Sequence, residues 1–302
     1  MPRYWDLVRT DRHNHRRVAG DSALAEAIKI LARAHQRLIW ARRRHVNGLR
    51  SALREFYPGA LLAFGTDLDT GDAIAVLGRA STPEAGRRLR LGTLERLLRL
   101  GGRQRRVSAR ASEIQTALRA PQLEAAPLET SAYGVVVCTL VHIVDELNTQ
   151  ITAMEAELTS VFEQHADAEI VASLPGLGPV LGARALAEFG DDPDRYSDAK
   201  ARKAYAGTAP ITRASGTRHT VLARVARNRH LVNACFRWAY ASLRGSPGAR
   251  SYYDAHRARG QTHNQALRAL ANRLVGILHG CLAHHMLCRE DLAWPGPQAL
   301  PA

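Results

Sequence analysis

The sequence predicts a mainly α protein: a helical N-terminal region and a long coiled-coil arm, followed by a compact helical domain with a helix-hairpin-helix-like motif. Three observations carry this. Apolar residues recur at three- and four-residue steps from Leu24 to Phe56. A second stripe of that spacing runs from Val137 to Val161. Between Ile170 and Ala183, Pro175, Gly176 and Gly178 interrupt two apolar stretches. The expected organisation is a helical and linker region over 1–128, the arm over 129–166, the compact domain over 167–290 and a tail over 291–302.

In chain order, residues 1–20 read as an irregular polar segment, and Asp11, His13 and His15 as loop residues rather than ligands. The first long helix follows, with Asp21 or Ser22 placed to cap it and Pro58 to stop it. Its polar face carries Arg33, Arg37, Arg42, Arg43, Arg44 and Arg50. That cluster fits either a phosphate track or a solvated face. Asp67, Asp69 and Asp72 lack calcium-loop spacing and read as turn and cap residues. Short helices are predicted over 83–100 and 107–120, with the basic stretch Arg103-Gln104-Arg105-Arg106 between them and breaks at Pro121 and Pro127. The second long helix is expected over 131–165. Its stripe (Val137, Leu140, Val144, Leu147, Ile151, Met154, Leu158, Val161) suits a coiled-coil arm or a bundle helix, and its length favours a homo-oligomer.

Composition narrows the function classes. The 302 residues carry 42 Lys and Arg against 28 Asp and Glu, a net charge of +14. Lysine occurs only at Lys29, Lys200 and Lys203. A GC-rich genome exchanges Lys for Arg without altering net charge, so the excess points to a polyanionic partner. Cys138, Cys235, Cys281 and Cys288 form no CxxC pair, which argues against a disulfide scaffold or structural zinc. Cys281 and Cys288 flank His284 and His285, but buried free thiols are the better reading there. The longest strongly apolar run, 135–144, is interrupted by His142 and is too short to span a bilayer. A cytoplasmic bacterial protein with no membrane partner is expected.

The nucleic-acid signal lies in the compact domain. Pro175 ends one helix, Gly176 and Gly178 permit special backbone conformations, and amides at the next helix start can hold a phosphate. Beyond a polar loop at 191–194 and a short helix over 197–205, Gly207 is a natural helix stop. The segment Pro210-Ile211-Thr212-Arg213-Ala214-Ser215-Gly216-Thr217-Arg218-His219 reads as a turn. A nucleophilic serine needs activation. His219 is a candidate base, and Arg213 and Arg218 are candidate phosphate holders.

The run from Leu174 to His285 resembles the C-terminal domain of the insertion sequence 110/116/902 transposase family. The matching pieces are Leu174-Pro175-Gly176-Leu177-Gly178, Ala206-Gly207 with Pro210, and Ser215-Gly216. Tyr252-Tyr253, Arg257 to Gly260, His263 and Ala269-Leu270-Ala271-Asn272-Arg273-Leu274 continue the match. Weaker similarity extends upstream to about Leu7. One departure is Ala226, where the family tends to have glycine before an Asn-Arg pair, here Asn228-Arg229.

The resemblance implies DNA transposition, with Ser215 as the nucleophile that attacks a DNA phosphodiester. Nucleic-acid contacts are expected at Gly176, Gly178, Arg213, Gly216, Arg218, His219, Asn228 and Arg229. DNA and a structured guide RNA are the implied partners. Family members begin with a RuvC-like nuclease domain whose four acids bind magnesium. Its Gly-x-Asp and Asp-x-x-Asp pieces are not found in this sequence. The expectation is a chain that holds no metal itself, starts downstream of the magnesium site, and is inactive alone. The alternative is a non-catalytic DNA- or RNA-binding remnant or regulator of the parent element.

Overall fold

The computed structural model describes residues 20–123, 125–224 and 227–294, with the backbone alone at 212, 213, 218, 219 and 221. The polar segment up to Ala19, the departure at Ala226 and the tail beyond Trp294 lie outside the described residues. The protein is mainly α. Contacts divide it into two compact units, residues 34–155 and residues 1–33 with 156–302.

Helix α1 (Ala23–Phe56) opens where expected, and the Ser22 Oγ accepts from the Ala25 amide at 3.1 Å. Its stripe serves two cores. Ile28 and Ala32 are buried in the unit containing residues 156–302, and Val46, Leu49, Leu53 and Phe56 in the other. Pro58 does more than stop α1. It is the first residue of α2 (Pro58–Phe64), a position where its missing N–H costs nothing.

In the unit of residues 34–155, α3 (Gly71–Arg79) is capped by Thr70 and α4 (Pro83–Arg87) by Thr82. The single helix expected over 83–100 is broken at Arg88-Leu89-Arg90, so that α5 spans Leu91–Leu100. Helix α6 covers Val107–Arg119. Leu68, Leu77, Leu94, Leu98, Ile114 and Leu118 fill the core between these short helices. Gly71 has no room for a side chain, because a Cβ there would stand 2.0 Å from the Gly101 carbonyl oxygen. Asp72 is buried and bonded to Arg103 Nε at 2.7 Å, so it acts as an ion-pair partner rather than a cap.

Helix α7 spans Pro127–Glu163, starting four residues earlier than expected because Pro127 opens the helix instead of breaking it. Val137, Val141 and Val144 are buried in the core of residues 34–155, and Leu158 and Phe162 in the other core. The two ends of the stripe are thus packed within the chain, while Leu147 and Met154 between them are half-buried and belong to neither core. By length and composition alone, α7 is also long and apolar enough to cross a membrane.

The remaining elements are α8 (Ala168–Ala172), α9 (Pro179–Phe189), α10 (Ala199–Tyr205), strands β1 (Ile211–Ser215) and β2 (Arg218–Leu222), α11 (Arg229–Gly245), α12 (Pro247–Ala258), α13 (His263–Ala283) and α14 (Glu290–Ala293). Trp238, Phe162, Phe189, Leu267, Leu270 and Leu274 anchor their shared core. Helix α13 begins with a full capping box, in which Thr262 and Gln265 satisfy each other's amides.

Candidate nucleic-acid interface

The segment expected to be a simple turn is a β-hairpin. Strands β1 and β2 pair antiparallel, and Ser215 faces Arg218 across a two-residue loop, Gly216-Thr217. Gly216 has φ +57°, and a glycine at the first loop position with positive φ suits a tight hairpin turn. Because strand residues alternate between faces, the register seats Ser215 with Arg213 and Arg218. His219 pairs with Ala214 and is seated on the other face. Ser215, Gly216 and Thr217 are exposed. Four strand steps of about 3.3 Å carry Ser215 about 13 Å from the start of β1.

The base of the hairpin is firmly built. Gly207, with φ +68°, ends α10, and a Cβ there would meet Arg227 Cβ at 2.7 Å. Thr208 is buried and donates from Oγ1 to the Lys203 carbonyl at 3.2 Å. Two clefts flank this base. The larger, of about 690 Å³, is lined by Thr208, Arg227, Arg229, Asn233, Asn264 and Arg268 among others. The smaller, of about 310 Å³, lies by Thr208, Pro210, Leu222, Tyr252 and Arg268.

Beneath the larger cleft is a set of buried ionic and amide groups. Glu188 is 3% exposed and accepts from Arg33 Nε at 2.8 Å and from Asn228 Nδ2 at 2.5 Å. Burial opposes its ionisation, but the bonds to Arg33 and Asn228 outweigh that and hold its carboxyl below the ordinary range. Asn228 also caps α11, its Oδ1 accepting from the amides of His230 and Leu231. All of its side-chain polar atoms are therefore engaged within the chain. Arg184 is buried and donates from Nη2 to Asn233 Oδ1 at 2.8 Å. Burial, with Arg237 nearby, pushes its guanidinium down to about 10.

Glu188→Ala is expected to cost about 2 kcal/mol at pH 7, allowing for the partial exposure of Arg33. Since the folded pKa of Glu188 lies below its unfolded value, this contribution is complete above about pH 4.5. It is lost as pH falls through the folded pKa. Urea unfolding over a pH series should show wild type and variant separated at pH 7, with the gap narrowing as the pH falls below about 4.5.

The two glycines expected to cradle a phosphate have different surroundings. Gly176 has φ +84°, and a Cβ there would stand 2.6 Å from the Ser242 backbone nitrogen. It is a packing glycine against α11. Gly178 precedes α9, is exposed and has open space around its Cβ position. Arg229 is the exposed first residue of α11 and reaches the larger cleft. Cys281 and Cys288 are free thiols that share a hydrogen bond, and burial pushes both up, Cys288 to about 11. Among the described residues, no group of three or more His, Cys, Asp or Glu stands together as a metal site.

Residues 168–254, from the start of α8 into α12, match the Transposase IS116/IS110/IS902 family. The matched stretch contains the hairpin and most of the larger cleft. A mini-circle protein of Streptomyces coelicolor, named as a candidate transposase for IS117, is 42% identical over 280 residues, 92% of this chain and 68% of that protein. The chain belongs to the IS116/IS110/IS902 transposase family. An IS110 protein of the same organism is 31% identical over 278 residues, again 92% of this chain and 68% of the relative. An IS900 protein of Mycobacterium paratuberculosis is 39% identical over 151 residues, half of this chain. The chain spans about two thirds of the length of the first two relatives. Transposition is thus the family-level function.

Sequence reasoning missed the hairpin, the cleft and Glu188. The hairpin left only a weak signal, a glycine-led two-residue gap between segments holding the β-branched Ile211, Thr212, Thr220 and Val221. Asn228 likewise stands directly before an apolar-periodic run, where a cap belongs.

Proposed function

We propose that this chain acts on DNA in transposition and that Ser215 is its nucleophile. The observation that supports this is the presentation of Ser215 at the exposed tip of a hairpin within the family-matched segment. The Oγ attacks phosphorus, forming a serine phosphodiester and breaking a P–O bond of the DNA strand. The hydroxyl proton passes to a base, and the leaving oxygen takes up a proton. Arg213 and Arg218, seated on the same hairpin face as Ser215, offset the phosphate charge. Gly178, Gly216 and Arg229 contribute backbone or charge contacts around it. DNA is the principal partner, and a structured RNA is a second partner consistent with the net charge of +14.

Magnesium, implied by the family resemblance, is not fitted by the described residues. Their buried carboxylates are already held in ion pairs, Asp21 with Lys29 and Arg195, Asp72 with Arg103, and Glu188 with Arg33.

The test is binding of the purified chain to DNA over a salt series. Each phosphate neutralised contributes about −0.9 to the slope of log K against log salt on duplex DNA. A slope of about −4 or steeper is expected from phosphate contacts by Arg213, Arg218, Arg227, Arg229 and Arg268. A flat salt response would defeat the reading of a nucleic-acid protein. A denaturation-resistant DNA adduct that survives Ser215→Ala would defeat the assignment of the nucleophile.

A further inference from the structure

The larger cleft at the hairpin base has an ordered arrangement of chemistry. Thr208, Cys235 and Ala271 are buried and form its floor. Val232, Asn233, Phe236 and Arg268 are half-buried in its walls. Arg227, Arg229 and Asn264 are exposed at its mouth. The three arginines share the cleft with no carboxylate among the lining residues. Two helices of 17 and 21 residues, α11 and α13, begin at the cleft, with Arg229 and Asn264 in their first turns. Each directs the positive end of its dipole there.

The geometry points to this cleft as a pocket for one unpaired nucleotide of a DNA strand, with the base inside and its phosphate at the mouth. The inference rests on the reading of the chain as a DNA-acting protein. The mouth is cationic and suits phosphate, whereas the interior offers apolar walls and the Phe236 ring, a surface on which a base can stack. A surface for the backbone alone needs no such interior. Asn264 at the mouth carries the paired donor and acceptor that can read a base edge. Asn233 is preset as a donor, because the buried Arg184 engages its Oδ1 at 2.8 Å and leaves its amide N–H groups for a ligand. A volume of about 690 Å³ falls in the range of small-ligand pockets. The hairpin reach of about 13 Å equals about four stacked base steps of 3.4 Å. A nucleotide seated here fixes which phosphate along the strand meets Ser215.

The experiment compares the full chain and its variants on two single-stranded probes of equal phosphate number, an oligodeoxythymidylate and an abasic strand. Wild type is expected to prefer the base-bearing probe about tenfold. The double variant Asn264→Ala, Arg268→Ala is expected to lose that preference while keeping a salt-dependent affinity for both. The double variant Arg227→Ala, Arg229→Ala changes only exposed positions, so its folding is not at issue, and it should weaken both probes equally. Photocrosslinking with 5-iododeoxyuridine in place of thymidine should map to the peptide containing Phe236. Equal wild-type affinity for the two probes, or crosslinks only outside the cleft, would overturn the pocket while leaving DNA binding intact. Loss of all salt-dependent binding would overturn the parent reading and the pocket with it.

Discussion

Ser215→Ala is expected to eliminate covalent capture of DNA in any reaction mixture in which the wild-type chain joins DNA, lowering the joining rate by at least about a thousandfold. The magnitude follows from the role. Removing a nucleophile removes the bond-forming atom itself, and the residual rate is what binding alone sustains. The fold should not register the change. Ser215 is exposed at the tip of the hairpin, and surface substitutions of this kind shift stability by about 0.5 kcal/mol or less. DNA affinity should also stay close to wild type, because the charge that binds phosphate belongs to the arginines. Ser215→Cys keeps a nucleophilic atom at nearly the same place and should retain more joining than alanine does. The measurements are denaturing-gel detection of protein–DNA species and a binding titration on the same preparations. An alanine variant that still joins DNA would move the chemistry elsewhere, and Thr217 carries the next hydroxyl along the tip.

The sequence and the structure agree best where a periodic pattern is long. The α1 and α7 stripes are readable because one spacing repeats from Leu24 to Phe56 and from Val137 to Val161. What the periodicity did not carry was which core each part of a stripe enters, since partners such as Leu118 or Trp238 are remote in the chain. The hairpin was hidden for a local reason. Its strands are five residues each, and Ser-Gly reads as a turn before it reads as the closing of a ladder. Ser215 itself was marked by family resemblance, not by spacing, and the structure adds its place at the tip and its neighbours in register. The larger cleft was beyond sequence reading because its walls come from residues as far apart as Gly207 and Ala271. Asn228 shows the opposite case. The sequence offers it as a nucleic-acid contact, and its side chain is engaged in capping α11 and holding Glu188.

The two glycines of Leu174-Pro175-Gly176-Leu177-Gly178 give the sharpest stability contrast in the molecule. Gly176→Ala faces two penalties at once. Its φ of +84° is a region that side chains disfavour by about 1–2 kcal/mol. The added Cβ would also stand 2.6 Å from the Ser242 nitrogen and 2.9 Å from the Ala241 carbonyl carbon, both backbone atoms of α11 that cannot swing aside. Overpacking of this kind costs about 1–3 kcal/mol. The turn has little freedom to retreat, because Trp238 Nε1 donates to the Pro175 carbonyl at 3.0 Å and Trp238 is fully buried. A total of about 2–5 kcal/mol is expected, or about 5–15 °C in Tm for a unit of this size. Gly178→Ala meets nothing within 4 Å and has ordinary backbone, so its Tm should move by about a degree. Its effect, if Gly178 approaches a phosphate, falls on DNA affinity instead. Thermal unfolding of the two variants beside a binding titration separates the roles. A stable Gly176→Ala protein with weakened DNA binding would show that the turn approaches the ligand and not α11.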